Sequence, residues 1–223
     1  MNRLSKLVVF DLDGTLLDSL PDITSALNHA LAEHGLAALS HELIRQYIGN
    51  GSRVLIDRAL QNMGQAGDMT ESIYASFARH YEMAMDQRSV LYPRVPEVLD
   101  ALRDAQWQLA CVTNKPSRFT EPLLAAFDLL EKFNVVLSGD SLPQRKPDPQ
   151  PLRRAAQQCA TALERAVIVG DSANDLRAAN DAPMASIAVS YGYAQGADLS
   201  VYRPLAIVDS MAEIPEIASA YLN

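Results

Sequence analysis

Asp11 and Asp13 stand one residue apart where the unbroken apolar run at residues 7–10 stops, and Gly14 and Thr15 follow at once. Acids placed there are free for chemistry, because an apolar run of this kind reads as a strand buried on both faces. Ligand sites of open α/β sheets lie just beyond the carboxyl ends of such strands. Three later apolar runs end in the same way. Residues 109–113 lead into Asn114-Lys115 with Thr113 as the last strand position. Residues 135–137 are followed by Gly139-Asp140 and, after a loop, by Arg145-Lys146-Pro147-Asp148. Residues 166–169 run into Gly170-Asp171-Ser172-Ala173-Asn174-Asp175.

These groups match what phosphoryl transfer requires: an in-line nucleophile, a proton shuttle and positive charge around the phosphoryl oxygens. Asp11 is the candidate nucleophile, forming an aspartyl-phosphate that water later cleaves. Asp13 is the candidate acid and base. Asp11 and Asp171 could share Mg²⁺, which prefers carboxylate and carbonyl oxygens and keeps several waters. Lys146 would neutralise charge on nucleophile and phosphate. The Thr113 hydroxyl and the backbone N–H groups near Asn114 could bind the phosphoryl oxygens, and Gly14 lets the chain turn close by.

Plainer readings compete at several positions. Asp175 closes a capping-box pattern with Ser172, and that role is compatible with one at a metal shell. Arg53, just past Gly49-Asn50-Gly51, could clamp a substrate carboxylate by bidentate pairing, or simply sit on a helix surface. Lys115 carries the same two readings. The four histidines (His29, His34, His41, His80) lack the spacing and partners of a ligand set.

The intervening pattern supplies the elements that must hold these residues. Ser19-Leu20-Pro21-Asp22 reads as a capping box opening a helix with Ile23, Ala26, Leu27, Ala30 and Leu31 on one face, ending near Gly35. Ser40 caps a short helix reaching Tyr47. Further helical faces run through Leu55, Ile56, Ala59, Leu60 and Met63, and from Thr70 through Ile73, Phe77, Tyr81 and Met85. Residues 17–90 thus read as helices with no strand, more chain than one crossover needs. From residue 92 strands and helices alternate: a helix from Pro96, a helical stretch over 116–130 broken near Pro122, a helix from Pro151 through Cys159, another over 176–180, and a fifth strand at 185–189. Alternation of this kind implies βαβ units. The expected fold is α/β, a doubly wound, mostly parallel, Rossmann-like core (1–16 and 91–223) carrying an inserted helical domain (17–90).

The 223 residues include 19 Lys and Arg against 27 Asp and Glu, a formal charge of −8. No basic stripe suggests a nucleic-acid partner, while small phosphates remain accessible through a metal ion and local cations. Cys111 and Cys159 are too few for a disulfide framework or a zinc site, which fits a reducing, cytoplasmic setting. The apolar stretch after Arg3 and Lys6 is interrupted at Asp11, too soon for a signal peptide or a membrane span. A monomer and a homodimer are both compatible with the composition.

In order along the chain, Asp11-Leu12-Asp13-Gly14-Thr15, Val112-Thr113-Asn114, Lys146-Pro147 and Gly170-Asp171-Ser172-Ala173-Asn174-Asp175 resemble the four motifs of the haloacid-dehalogenase-like hydrolases. The resemblance spans essentially the whole chain, including the insertion, which that family uses as a mobile cap. Within it, Thr113-Asn114-Lys115-Pro116, Tyr47-Ile48-Gly49-Asn50-Gly51 and Tyr191-Gly192-Tyr193 are most similar to phosphoglycolate phosphatases. The resemblance implies Asp11 as nucleophile and Asp13 as general acid/base. It implies Mg²⁺ held by Asp11, the Asp13 carbonyl and Asp171, with Asp175 in support. Thr113, Asn114 and Lys146 would hold the phosphoryl group, with Gly14, Thr15, Lys115 and Arg53 as further substrate-binding candidates. One departure is Asn180-Asp181-Ala182-Pro183, where the family has Ala-Gly in the turn before the last strand.

The expected activity is Mg²⁺-dependent hydrolysis of a small phosphomonoester, best matched by 2-phosphoglycolate. A sugar-phosphate phosphatase or phosphomutase on the same scaffold is the nearest rival. A phosphonate hydrolase is disfavoured because residues 17–90 hold no lysine for a Schiff base. A phosphoacceptor signalling domain needs neither Asp13 nor a large insertion, and a protein-binding relative would not need every catalytic position filled.

Overall fold

The computed structural model describes residues 5–65, 69–194 and 196–222; Arg3 lies outside them. The chain opens with β1 (Leu7–Phe10) and β2 (Leu17–Asp18), then α1 (Leu20–Glu33), α2 (His41–Arg45), α3 (Ser52–Asn62) and α4 (Thr70–Ala84). It continues through β3 (Val90–Leu91), α5 (Val95–Asp104), β4 (Gln108–Val112), α6 (Ser117–Ala126), β5 (Val135–Leu137) and α7 (Gln150–Gln158). The last elements are β6 (Ala166–Gly170), α8 (Ala173–Asp181), β7 (Ala185–Val189), β8 (Ile207–Val208) and α9 (Ile214–Leu222).

All four residues of β1 are fully buried because the strand lies inside a six-stranded sheet, order β5-β4-β1-β6-β7-β8, in which every pairing is parallel. Alternate residues feed opposite faces. Val8, Phe10, Leu109, Cys111, Val167 and Val169 share one core with Leu99 and Leu102 of α5, Leu123 of α6 and Ala218 of α9. Leu7, Val9, Ala110, Val112 and Ile168 share the other with Leu152 and Ala156 of α7 and Ala179 of α8. This is the doubly wound arrangement expected, and it requires the runs to be apolar at every position. The ladder continues past the strands through Asp11 N–H to Val169 O (3.0 Å) and Thr113 N–H to Leu137 O (2.9 Å), which places the polar residues along one edge.

Several local expectations need correction. Residues 17–90 are not helical throughout: β2 and β3 pair antiparallel, Leu17 with Leu91 and Asp18 with Val90, at the two roots of the insertion. Two residues per strand are too few to leave a period-2 signal. Ser19 and Asp22 form no capping box. Ser19 Oγ donates instead to Asp13 Oδ1 (2.5 Å), and buried Asp22 accepts from Arg88 N–H, Ser89 N–H and Ser89 Oγ, tying α1 to the chain entering β3. Ser40 does cap α2, accepting from Leu43 N–H, but that helix stops at Arg45. Pro122 does not break α6, where one missing N–H forfeits a single bond; the helix ends at Ala126 and turns at Asp128, φ 56°. Beyond the departure at residues 180–183 the turn still closes, through Met184 N–H to Ala179 O (2.9 Å). No helix among the described residues is long and apolar enough to cross a membrane.

Candidate active site

Asp11, following β1, is 8% exposed and accepts from Leu12 N–H (2.7 Å) and from Lys146 Nζ (2.9 Å). Lys146 reaches it from the loop after β5 and spends its other donors on Asp175 Oδ1 (2.6 Å) and Val112 O (2.6 Å). Burial works against the ammonium, but the Asp11 and Asp175 carboxylates outweigh it, so Lys146 is held charged well above the ordinary lysine range. Asp175 is fully buried in the first turn of α8, its Oδ2 bonded to Ser172 N–H (3.2 Å) and Oγ (2.6 Å). The helix-capping geometry and the contact with Lys146 therefore coexist in one side chain.

Asp171 lies at the end of β6, 2% exposed, accepting from Thr15 Oγ1 (3.1 Å) and Tyr193 N–H (2.6 Å). Gly14 is required beside it: at φ 88° a Cβ would fall 2.3 Å from Asp171 Oδ2. One oxygen from each of Asp11, Asp171 and Asp175 lies within 4.8 Å of the others, and all three residues are buried. Burial, reinforced by the neighbouring acids, raises the Asp171 carboxyl above the ordinary carboxylate range. Burial also raises Asp11, with Lys146 opposing and Asp175 adding. Three enclosed carboxylates facing one ammonium form a hard, oxygen-rich donor set with excess negative charge, which a divalent cation would relieve.

Asp13 takes the Lys115 ammonium at 3.0 and 3.1 Å as well as Ser19 Oγ. Lys115 also donates to Tyr81 Oη of α4 (2.8 Å). Burial again opposes the lysine charge, and Asp13 and Tyr81 together more than offset it. Asn114 Nδ2 donates to Lys146 O (2.7 Å) and to Gly49 O (2.9 Å), and Asn174 Nδ2 donates to the same Gly49 carbonyl (3.1 Å). The Gly49-Asn50-Gly51 loop thus docks directly on Asn114, just past β4, and on Asn174 in the first turn of α8, closing a cavity between insertion and sheet.

Asp11, Asp13, Thr113, Asn114 and Lys115 all line that cavity. Lys146 stands behind Asp11, while Thr15 braces Asp171 and Gly14 leaves it room. Arg53 does not line it: its guanidinium pairs with Glu71 and lies over the Tyr74 ring, 4.2 Å from the centroid. Sequence reasoning gave no site role to Ser19, Ser52, Tyr81 or Tyr193. Tyr81 sits at helical spacing and reads as core. Tyr193 belonged to a motif already noted after the fifth strand, and that position was the available signal.

The chain matches the model of the haloacid dehalogenase-like hydrolase family over residues 8–189. A phosphoglycolate phosphatase of Vibrio parahaemolyticus is 40% identical over 219 residues, 96% of each chain. One of Nitrosospira multiformis is 42% identical over 215 residues, 95% of each. Among solved structures, that of a predicted phosphoglycolate phosphatase from Haemophilus somnus superposes with a TM-score of 0.91 at 36% identity, covering 96% of this chain and 97% of the other. This protein belongs to the haloacid dehalogenase-like hydrolases. Relatives alike over nearly the whole length, together with the enclosed carboxylate cluster, make it a phosphatase.

Proposed function

We propose that the chain is a Mg²⁺-dependent phosphoglycolate phosphatase that works through an aspartyl-phosphate on Asp11. The observation that carries this reading is the pairing of Lys146 with both Asp11 and Asp175 beside Asp171, with Asp13 lining the same cavity as Asp11. The Lys146 ammonium opposes the effect of burial on Asp11, favouring its ionised form, and aims it, so that its free oxygen can attack phosphorus in line with the leaving oxygen. As that P–O bond breaks, Asp13 delivers a proton to the departing alkoxide and glycolate leaves. Asp13, now a carboxylate, takes a proton from water attacking the phosphorus of the aspartyl-phosphate. The Asp11–phosphorus linkage breaks, phosphate is released and both acids are restored. The Thr113 hydroxyl and the backbone N–H groups near Asn114 hold the phosphoryl oxygens during both transfers, the Asn114 amide being spent on the Lys146 and Gly49 carbonyls. Asp11 and Asp171 would hold Mg²⁺, with Asp175 fixing the lysine between them. Bound there, the ion would offset the repulsion between phosphoryl oxygens and the attacking carboxylate. The docked Gly49-Asn50-Gly51 loop excludes bulk water while the aspartyl-phosphate exists.

The test is phosphate release from small phosphomonoesters with Mg²⁺ or EDTA, in wild type and Asp11→Asn. Metal-dependent turnover with 2-phosphoglycolate among the best substrates is expected, falling by about 10⁴-fold or more in the variant. Full activity in Asp11→Asn would sink the mechanism. A clear preference for hexose phosphates would leave the mechanism and sink the substrate.

A further inference from the structure

Beyond the strand-end residues the cavity wall is largely apolar, formed by Ile23, Ile48, Leu55, Phe77 and Phe119. Its apolar stretches offer no partners for the hydroxyls of a sugar. Its polar side chains are few and are all capable of donating. The Lys115 ammonium, 6% exposed, lies 3.0 Å from the proton shuttle Asp13. Tyr81 Oη accepts from Lys115, which leaves its own O–H to donate, and no acceptor for that proton is found among the described residues. Burial also lifts the Tyr81 hydroxyl to about 12, so it stays protonated. Ser52 Oγ is buried without any hydrogen-bond partner, at the start of the eleven-residue helix α3, where the helix dipole favours negative charge. A buried hydroxyl left unpaired is costly and calls for a polar group from outside the chain.

We infer that Lys115, Tyr81 and Ser52 form a carboxylate subsite that reads the leaving group. The inference rests on the phosphatase reading above and assigns the recognition to these residues, not to Arg53. The ester oxygen must stand at Asp13 to receive its proton. Lys115 is hydrogen-bonded to that same carboxylate, so it lies within reach of an anionic group two bonds beyond the ester oxygen. A phosphomonoester of a short hydroxy acid puts its carboxylate there, whereas a neutral diol ester leaves the ammonium and both hydroxyls without a matching charge.

The experiment compares kcat and KM for 2-phosphoglycolate and 2-hydroxyethyl phosphate, which replaces the carboxylate by a neutral group of similar size. Wild type should favour the carboxylate ester by about 100-fold or more in kcat/KM, the scale of charged hydrogen bonds in an enclosed site. Ser52→Ala should raise KM for 2-phosphoglycolate by about tenfold and weaken competitive inhibition by glycolate, while affecting the neutral ester far less. Lys115→Met should slow both esters through its contact with Asp13, and should cost 2-phosphoglycolate a further factor of about 30 or more. Equal losses on both esters in both variants would show that Lys115 only positions Asp13, and would overturn the subsite. So would a wild type indifferent to the carboxylate. Absence of phosphate release from either ester by wild type would instead overturn the phosphatase reading itself. If Lys115→Met does not fold, Ser52→Ala and glycolate inhibition decide the question.

Discussion

Two buried lysines flank the reacting centre, and they differ in what they join. Lys146 binds Asp11, Asp175 and the Val112 carbonyl, all contributed by the ends of the parallel strands or the helix that follows one. Lys115 binds Asp13 from the sheet edge and Tyr81 from α4 of the insertion. The first lysine closes a network complete within the core, which can serve any phosphoryl group. The second spans the boundary between core and insertion, so what it senses depends on what lies between them. On the readings proposed above, the first network serves the phosphoryl group and the second the choice of leaving group.

Removing Lys146 gives the largest effect. Lys146→Met leaves Asp11 and Asp175 buried without their shared cation, a loss of about 3–5 kcal/mol by comparison with other broken buried pairs. It also removes the charge facing the phosphoryl oxygens, so kcat should fall by about 10³-fold. The fall should be the same for 2-phosphoglycolate and for a neutral ester, since none of the partners of Lys146 comes from the insertion. A difference above tenfold between esters would break the division of labour between the lysines.

The first network also predicts a link between pH, metal and stability. Burial places the Asp11 and Asp171 carboxyls above their unfolded values, which lie near 3.9 for aspartate. The folded chain then binds these protons more tightly than the unfolded chain. Their contribution is complete below the unfolded value and is lost as pH rises through the raised ones. With EDTA, Tm should fall by several degrees between pH 5 and pH 8. Mg²⁺ should restore most of that loss at pH 8 and add little at pH 5. Asp171→Asn should flatten the EDTA profile. Mg²⁺ stabilisation independent of pH would mean that the ion binds elsewhere.

The contrast between the networks also explains what could be read from the sequence. The strand-end residues at 11, 13, 113 and 171 were legible because a strand buried on both faces must be apolar throughout, and a carboxylate or hydroxyl marks its end. Lys146 was legible only as part of a motif, since its loop has no period. The insertion was readable as helices, but not its contacts. Ser19 and Asp22 have the local spacing of a capping box, yet Ser19 is taken by Asp13, and Asp22 by backbone 66 and 67 residues away. Partners at such separations leave no local pattern. Tyr81 shows the same blindness: its ring packs against Phe77 and Phe119 as its spacing requires, while its hydroxyl alone reaches the site.

Docking of the insertion should matter less than either lysine. Asn174 Nδ2 donates to Gly49 O, a bond that Asn114 duplicates. Asn174→Ala should therefore loosen the loop without freeing it, at about 0.5–1.5 kcal/mol for a hydrogen bond. The expected result is a drop in kcat/KM of about threefold to tenfold, equal for both esters, with Tm nearly unchanged. Loss confined to the carboxylate ester would mean that the loop helps to read the leaving group.

Arg53 supplies the smallest expected effect and the sharpest check on the second network. It neighbours Ser52 at the start of α3, yet its guanidinium turns outward to Glu71 and the face of Tyr74, with 47% of its side chain exposed. A surface pair of this kind contributes little, and a cation–π contact at an exposed site adds at most about 1 kcal/mol. Arg53→Ala should change kcat/KM by less than twofold for either ester. A selective loss on 2-phosphoglycolate would require Arg53 to leave Glu71 and turn inward when substrate binds. In that case the double variant with Ser52→Ala would separate the possibilities: additive losses would make arginine and serine independent contacts to the carboxylate, whereas a loss no greater than that of Ser52→Ala alone would place Arg53 behind the serine, holding the first turn of α3 in position.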